Sequence, residues 1–214
     1  MTVSRCMTKN PITVHQDVSV PDAQSILRRE KIHRLPVLDK NDKLIGIVTS
    51  GDLLHATPSS GTALDIYELN YLISKLKIEK IMTKKVITVA EDLPIEEAAR
   101  TMADNDISGL PVLRGDVLVG IITESDIFKL FISLFGARHS GIRLTVLIPE
   151  KRGELAAVAG AIAKIGGNII SLATFEGEDL TNSYCTLKVE GLDRKKLVDA
   201  ISPLVERIID VRES

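Results

Sequence analysis

The stretch Gly46-Ile47-Val48-Thr49-Ser50-Gly51-Asp52 occurs a second time as Gly120-Ile121-Ile122-Thr123-Glu124-Ser125-Asp126. In each copy an apolar run leaves a glycine, reaches a threonine and meets a carboxylate three positions later. A short apolar pair follows, Leu53-Leu54 in one copy and Ile127-Phe128 in the other. The pattern predicts a strand passing into a helix, with the threonine as N-cap and the acid as its reciprocal partner. Self-similarity at a fixed period outranks local pattern as a fold signal. Here it reaches well beyond the motif.

Shifted by 75 positions, Cys6 to Leu38 falls on Ile81 to Leu113. Met7-Thr8-Lys9 meets Met82-Thr83-Lys84, Ile12-Thr13-Val14 meets Ile87-Thr88-Val89, and Leu35-Pro36-Val37-Leu38 meets Leu110-Pro111-Val112-Leu113. A one-residue gap in the following turn (39–43 against 114–117) restores the register for the glycine-to-aspartate motif. Within the first copy, Ile12 to Val14 is β-prone, and Ser19-Val20-Pro21-Asp22 opens a helix, with serine as cap and proline just inside. Leu35 to Leu38 and Leu44 to Val48 flank the polar turn 39–43 as a hairpin. Each unit therefore reads strand–helix–strand–strand–helix. At about fifty residues it is small for a core of its own, so the two copies are expected to pack on each other.

Between the copies, 57–62 is a loop by composition, and 61–77 is expected to be a linker helix with Leu64, Leu69, Leu72, Ile73 and Leu76 on one face. The expected boundaries are 1–60 for the first copy, 78–136 for the second and 142–214 for a domain of different pattern. In that last part Ile142, Leu144, Val146 and Ile148 alternate as a strand, and Leu155, Val158, Ala159, Ile162 and Ala163 share a helical face. Strands over 168–175 and 183–189, a helix over 192–202 and a strand over 205–211 complete the order βαββαβ. That order is ferredoxin-like. The fold class expected is a duplicated α/β module followed by a small α+β domain.

Bulk composition is that of a soluble globular chain, with 44% apolar and 26% charged residues. A formal charge of −2 supplies no electrostatic reason for a nucleic-acid or anionic-membrane partner, and the 3% aromatic content does not suit a base-stacking platform. No apolar run reaches the ~20 residues a membrane span requires, and the N-terminus has no apolar signal core, so a cytoplasmic location is expected. Cys6 and Cys185 sit in apolar patterns far apart and are expected to be buried free thiols. The four histidines, His15, His33, His55 and His139, are scattered, with no spacing of a metal site or catalytic triad. No Walker loop or dinucleotide fingerprint is present. Neither an enzyme activity nor a cofactor is expected.

The duplicated unit resembles a tandem pair of cystathionine-β-synthase (CBS) domains. The resemblance rests on Met-Thr leading into each copy, on Ile32-His33-Arg34 before the Leu-Pro-Val-Leu strand, and on both Gly-x-x-Thr-x-x-Asp motifs. The last third resembles an ACT domain, an amino-acid-sensing module, through the turn Glu150 to Gly153 and through Gly166-Gly167-Asn168-Ile169. The order CBS–CBS–ACT is similar to that of the acetoin-utilisation B-type proteins.

The resemblance implies an adenine nucleotide as regulatory ligand. Its ribose hydroxyls would donate to the motif carboxylate, which when ionised can only accept. The phosphates would face the threonine and the N-terminus of the closing helix. The residues implied are Ile12, Thr13, Ile32, His33, Arg34, Pro36, Thr49 and Asp52 in the first copy, and Ile87, Thr88, Ile107, Ser108, Pro111, Thr123 and Asp126 in the second. Thr-x-x-Asp is also a plain capping box, and capping and ligation are compatible. His33-Arg34 in one copy stands where Ser108-Gly109 stands in the other. Because arginine is shaped to grip phosphate, the first cleft is expected to hold phosphates more firmly. In the ACT domain the resemblance implies an amino acid bound where two domains pair, against Arg152, Gly153, Glu154 and Leu155 with Asn168 and Ile169 facing them. A homodimer and a regulated partner protein are expected. The rival readings are a ligand-free dimerisation module and a nucleotide-dependent enzyme.

Overall fold

The computed structural model describes residues 1–56, 71 and 74–213. The helix expected over 61–77 lies largely outside them. The chain forms two units, Met1–Ile127 and Phe128–Ser214.

The first unit contains both copies. In the first copy β2 (Val14–His15) runs parallel to β3 (Arg34–Leu38), which pairs antiparallel with β4 (Leu44–Thr49). Helices α2 (Val20–Glu30) and α3 (Ser50–His55) accompany this sheet. The second copy repeats it with β5 (Val89–Ala90), β6 (Gly109–Arg114) and β7 (Val117–Thr123), and with α4 (Ile95–Asp104) and α5 (Glu124–Leu134). The cap predicted for α2 forms, with Ser19 Oγ accepting from the Asp22 N–H at 3.3 Å. The repeat is also a repeat of burial. Val14 and Val89, Val20 and Ile95, Ala23 and Ala98, Leu35 and Leu110, Val37 and Val112, and Val48 and Ile122 are all buried in pairs. Fully burying such a side chain is worth about 1.5–3 kcal/mol, so the same positions hold each copy together.

The lead-in segments behave differently from the sequence reading, which gave them no element. Residues Val3–Cys6 form α1, and Thr8–Lys9 form β1, which pairs with Ile121 and Gly120 of β7. The start of the chain therefore completes the sheet of the second copy. In the reciprocal arrangement, the 3-10 turn Ile78–Lys80 and Thr83 dock on the first copy. There Thr83 and Ile47 exchange both backbone hydrogen bonds, at 2.9 and 3.0 Å. Val3 and Ile78, each wholly buried, anchor the two exchanged segments. Two small modules that exchange their lead-in segments, one as the strand β1 and the other as a single bridge at Thr83, cannot separate without exposing edges.

The exchange also explains both motif glycines. A Cβ at Gly46 would overlap the Met82 sulfur, and one at Gly120 would overlap the Met7 sulfur. Each glycine thus receives the methionine of the opposite lead-in.

The second unit is a four-stranded antiparallel sheet ordered β11-β8-β10-β9, from β8 (Ile142–Pro149), β9 (Asn168–Glu176), β10 (Asn182–Glu190) and β11 (Arg207–Glu213). Helices α6 (Glu154–Lys164) and α7 (Arg194–Ile201) cover one face. Leu144, Val146, Val158, Ile162, Leu187, Leu197 and Ile201 form the core between them. The closing strand begins two residues later than the pattern predicted, because Ser202–Leu204 continues the chain past α7 as a 3-10 turn. On the other side of the sheet, Phe135 stacks on Phe175 with ring centroids 5.9 Å apart.

Cys185 is buried within this core, whereas Cys6 is only half-buried. Burial pushes the Cys185 thiol up to about 11 from an ordinary 9.0. The folded state keeps this proton where the unfolded chain releases it. Its contribution to stability is therefore complete below about pH 9 and declines as pH rises towards 11. Denaturation midpoints taken between about pH 8 and about pH 10.5 should fall more steeply in wild type than in Cys185→Ala. Equal slopes would remove this role.

Candidate functional site

The residues that fold each cleft are placed by two local devices. The first is the stop of the leading helix. Lys31 and Asp106, equivalent in the repeat, both adopt left-handed backbone at φ 53°. The amides that follow turn back, Ile32 N–H to the Leu27 carbonyl at 3.1 Å and Ile107 N–H to the Met102 carbonyl at 3.0 Å. This is a Schellman-type stop, and it sets Ile32 and Ile107 at the mouth of the following strand.

The second device is the cap of the closing helix. Thr49 Oγ1 accepts from the Asp52 N–H, and Asp52 Oδ2 accepts from both the Thr49 N–H and the Thr49 hydroxyl, each at 2.8 Å. The same carboxylate oxygen in the second copy, Asp126 Oδ2, accepts from the Thr123 N–H at 3.0 Å and the Thr123 hydroxyl at 2.8 Å. Both aspartates are held in one orientation by their own backbone.

A cavity of about 240 Å³ lies between the copies. From the residues named in advance it gathers Arg34 and Thr49 of the first copy with Ile87, Ile107, Ser108 and Pro111 of the second. Ile47, Thr83, Lys85, Val86, Asp106 and Gly109 complete its wall and were not nominated. Lys85 and Val86 stand directly before Ile87, and Thr83 recurs as Thr8, so the repeat held a signal for this strip. Ile12, Thr13, Ile32, His33, Pro36, Asp52, Thr88, Thr123 and Asp126 lie outside this lining. Ile12 is 40% exposed, Pro36 is buried, and Ile32 packs against the core of the first copy.

Arg34 lines this cavity and reaches across to the second copy. Its Nη2 donates to Ser108 Oγ at 2.7 Å, and its Nη1 fills the space a side chain at Gly109 would need. The guanidinium lies against the second copy rather than within its own. Burial lowers its pKa, and Glu124 and Asp126 oppose that lowering. The contrast His33-Arg34 against Ser108-Gly109 is therefore complementarity across the boundary between copies.

In the second unit the nominated residues do not converge. Gly153, at φ 95°, leads into α6, whereas Asn168 follows its far end. An 11-residue helix is roughly 16 Å long. The sheet register agrees, with Pro149 opposite Asn182 at one end of β10 and Asn168 opposite Glu190 at the other. Asn168 Nδ2 donates to Glu190 Oε1 at 2.7 Å. Arg152 is exposed, Glu154 half-buried, Leu155 40% exposed, and Ile169 packs on the core. Among the described residues no group of three or more histidine, cysteine or acidic side chains is placed to hold a metal. No described helix is long and apolar enough to cross a membrane.

Two α/β modules with exchanged lead-in segments around a shared cavity, followed by a βαββαβ sheet, define a CBS pair joined to an ACT domain. The CBS-domain model matches residues 3–59 and 78–133, and the TTHA0829-like ACT-domain model matches 140–212. The chain belongs to the CBS-domain family and carries a C-terminal ACT domain, both of them regulatory modules. It is similar to the Vibrio cholerae protein assigned to acetoin utilization (AcuB), with 33% identity and TM-score 0.54 over 64% of this chain and 95% of that one. The CBS domain pair of protein MJ0100, solved with 5′-methylthioadenosine and S-adenosyl-L-methionine, is 36% identical with TM-score 0.52. That match covers 65% of this chain and 98% of that chain. Among curated relatives, the L-aspartate semialdehyde sulfurtransferase of Methanocaldococcus jannaschii is 38% identical over 130 residues, 60% of this chain. The match spans 23% of that relative, and 24% of a homoserine O-acetyltransferase of Methanohalobium evestigatum.

Proposed function

We propose that this protein is a non-catalytic cytoplasmic sensor whose CBS pair binds an adenine nucleotide or adenosyl compound. Its regulatory domains would run over 1–60, 78–136 and 142–214, with a linker helix over 61–77. The observation that carries the reading is the shared cavity, which has apolar walls at Ile87, Ile107 and Pro111 and cations at Arg34 and Lys85. Flat apolar walls suit a purine, and a guanidinium suits the anionic or polar end of its ribose chain. The adenosyl ligands of the related MJ0100 pair support the same class. Ligand binding would favour one arrangement of the copies, to be read by the ACT domain or by a partner protein. In the ACT domain an amino acid would be held between Arg152–Leu155 of one copy and Asn168–Ile169 of another, since one domain keeps them apart.

The test is the thermal midpoint of the whole chain against AMP, ADP, ATP, S-adenosylmethionine, 5′-methylthioadenosine and the amino acids. A ligand at a hundred times its Kd adds about 2.7 kcal/mol, so at least one adenosyl compound should raise the midpoint without being consumed. Flat curves for all of them would overturn the nucleotide reading, and turnover would favour an enzyme.

A second reading, a ligand-free dimerisation module, draws on the exposed apolar row of α5. Phe128, Phe131 and Leu134 are 67%, 56% and 60% exposed and recur every three residues. It predicts a dimer whose stability no adenosyl compound changes.

A further inference from the structure

We propose that Met7 and Met82 are paired oxidation sites, at which a peroxide unlatches the exchanged lead-ins. A sulfoxide at either position keeps its segment from seating on the opposite copy.

The two methionines are held alike. Each follows a wholly buried anchor by four residues, Val3 before Met7 and Ile78 before Met82. Each donates its N–H to that anchor's carbonyl, at 2.9 and 2.8 Å. Each also stands directly before the pairing residue, Thr8 with Ile121 or Thr83 with Ile47. The side chain between anchor and pairing is thereby fixed on the glycine of the other copy. There the sulfur, not the methyl tip, comes nearest. Measured from a Cβ placed on Gly46, Met82 Cγ and Cε lie at 3.0 and 3.3 Å, with the sulfur closer than both. From a Cβ on Gly120, Met7 Cγ and Cε lie at 3.0 and 3.1 Å, again behind the sulfur.

A thioether whose apex faces the backbone turns its lone pairs to that side, because both carbons occupy the other. A sulfoxide oxygen takes a lone-pair position. It therefore falls between the sulfur and the glycine strand, where a single Cβ has no room. Oxidation also makes the side chain polar, and a polar oxygen packed without a donor is costly. The amides of Thr83 and Ile47 are already bonded to each other's carbonyls.

Reach and consequence coincide at two of the four methionines. Met102 is 3% exposed, and Met1, 64% exposed, fills no glycine notch. Met7 and Met82 are half-buried in short segments, and such segments open locally more readily than a core does. The oxidant captures the lifted lead-in. A sulfur lone pair attacks one peroxide oxygen, the O–O bond breaks, sulfur gives up two electrons, and the second oxygen leaves as water. A thiol-dependent reductase reverses the step, returning two electrons and releasing the oxygen as water. Thr83 and Ile47 line the cavity between the copies, so release at Met82 also removes part of that wall. The release requires no ligand.

The test exposes the whole chain to hydrogen peroxide, locates the sulfoxides by peptide mass and follows urea denaturation before and after. Sulfoxide is expected at Met1 first, then at Met7 and Met82, and not at Met102. As Met7 and Met82 convert, the folding equilibrium constant should fall about 5- to 30-fold, and methionine sulfoxide reductase with a thiol should restore it. Met7→Leu with Met82→Leu, a swap close in volume, should lose nothing to the same peroxide, although Met1 and Cys6 stay oxidisable. Sulfoxide at Met7 and Met82 with unchanged denaturation would overturn the proposal, as would an equal loss in the leucine variant or a loss the reductase does not reverse. Met7 and Met82 still reduced once Met1 is fully oxidised would overturn it too. Where the double variant does not fold, each single leucine variant should keep only the loss carried by its remaining methionine. An undiminished loss in both would count against the proposal.

Discussion

Asp52→Asn and Asp126→Asn are each expected to weaken adenosyl-ligand binding by about 10- to 100-fold in the cleft served, because a hydrogen bond to a charged group is worth about 1.5–3 kcal/mol. The reason lies in how each carboxylate is held. One oxygen is already fixed by the threonine N–H and hydroxyl at 2.8–3.0 Å. The group is thus oriented before any ligand arrives, and little side-chain entropy remains to be lost on binding. An amide in its place loses the charge and presents a donor on one side. The variants also disturb a helix cap, an effect of about 0.5–2 kcal/mol on stability without ligand. Midpoints measured with and without ligand separate the two effects. If the ligand-induced shift survives in both variants while the ligand-free midpoint falls, the aspartates are caps and nothing more.

The second large effect concerns the exchanged lead-ins. Gly120→Val should destabilise the first unit by about 1–3 kcal/mol, as overpacking does, because its Cβ would displace the Met7 sulfur. Gly46→Val should do the same through Met82. Adding Met7→Ala to Gly120→Val should recover part of the loss, giving a coupling energy that Met82→Ala with Gly120→Val does not show. Urea denaturation of the glycine variants, of Met7→Ala and Met82→Ala alone, and of the two double variants reads this directly. A valine tolerated at both glycines would mean that the methionines are not wedged there.

Most of the architecture was legible because it is written twice. Leu35 and Leu110, or Ala23 and Ala98, carry the same local periodicity and the same burial, so either copy vouches for the other. The alternation of Ile142, Leu144, Val146 and Ile148 likewise announced a strand with one face on a core, and all four are buried. Less legible were elements too short to carry a period. Neither Val3–Cys6 nor Thr8–Lys9 spans enough residues for apolar spacing to show, and each is stabilised by partners far along the chain, at Leu93, Glu91 and Ile121.

The candidate site divides along the same line. Thr49 and Asp52 form a contact three residues apart, and local chemistry suffices to predict it. The convergence of Arg34 and Thr49 with Ile107 and Ser108 depends on how one copy faces the other, and no spacing within a copy encodes that. The separation of Gly153 from Asn168 within one domain, by contrast, was legible, because the apolar face from Leu155 to Ala163 already predicted the helix that stands between them. By itself the sequence determined the duplicated module, its paired core, its capped motif aspartates and the βαββαβ order, since these follow from short-range pattern and repetition. The tertiary structure alone decided that the lead-ins are exchanged, that one cavity draws on both copies and that Arg34 stands between them. Those outcomes rest on contacts between residues far apart in the chain, such as Ile47 with Thr83, Arg34 with Ser108 and Thr8 with Ile121, where packing and steric exclusion act and local propensity does not.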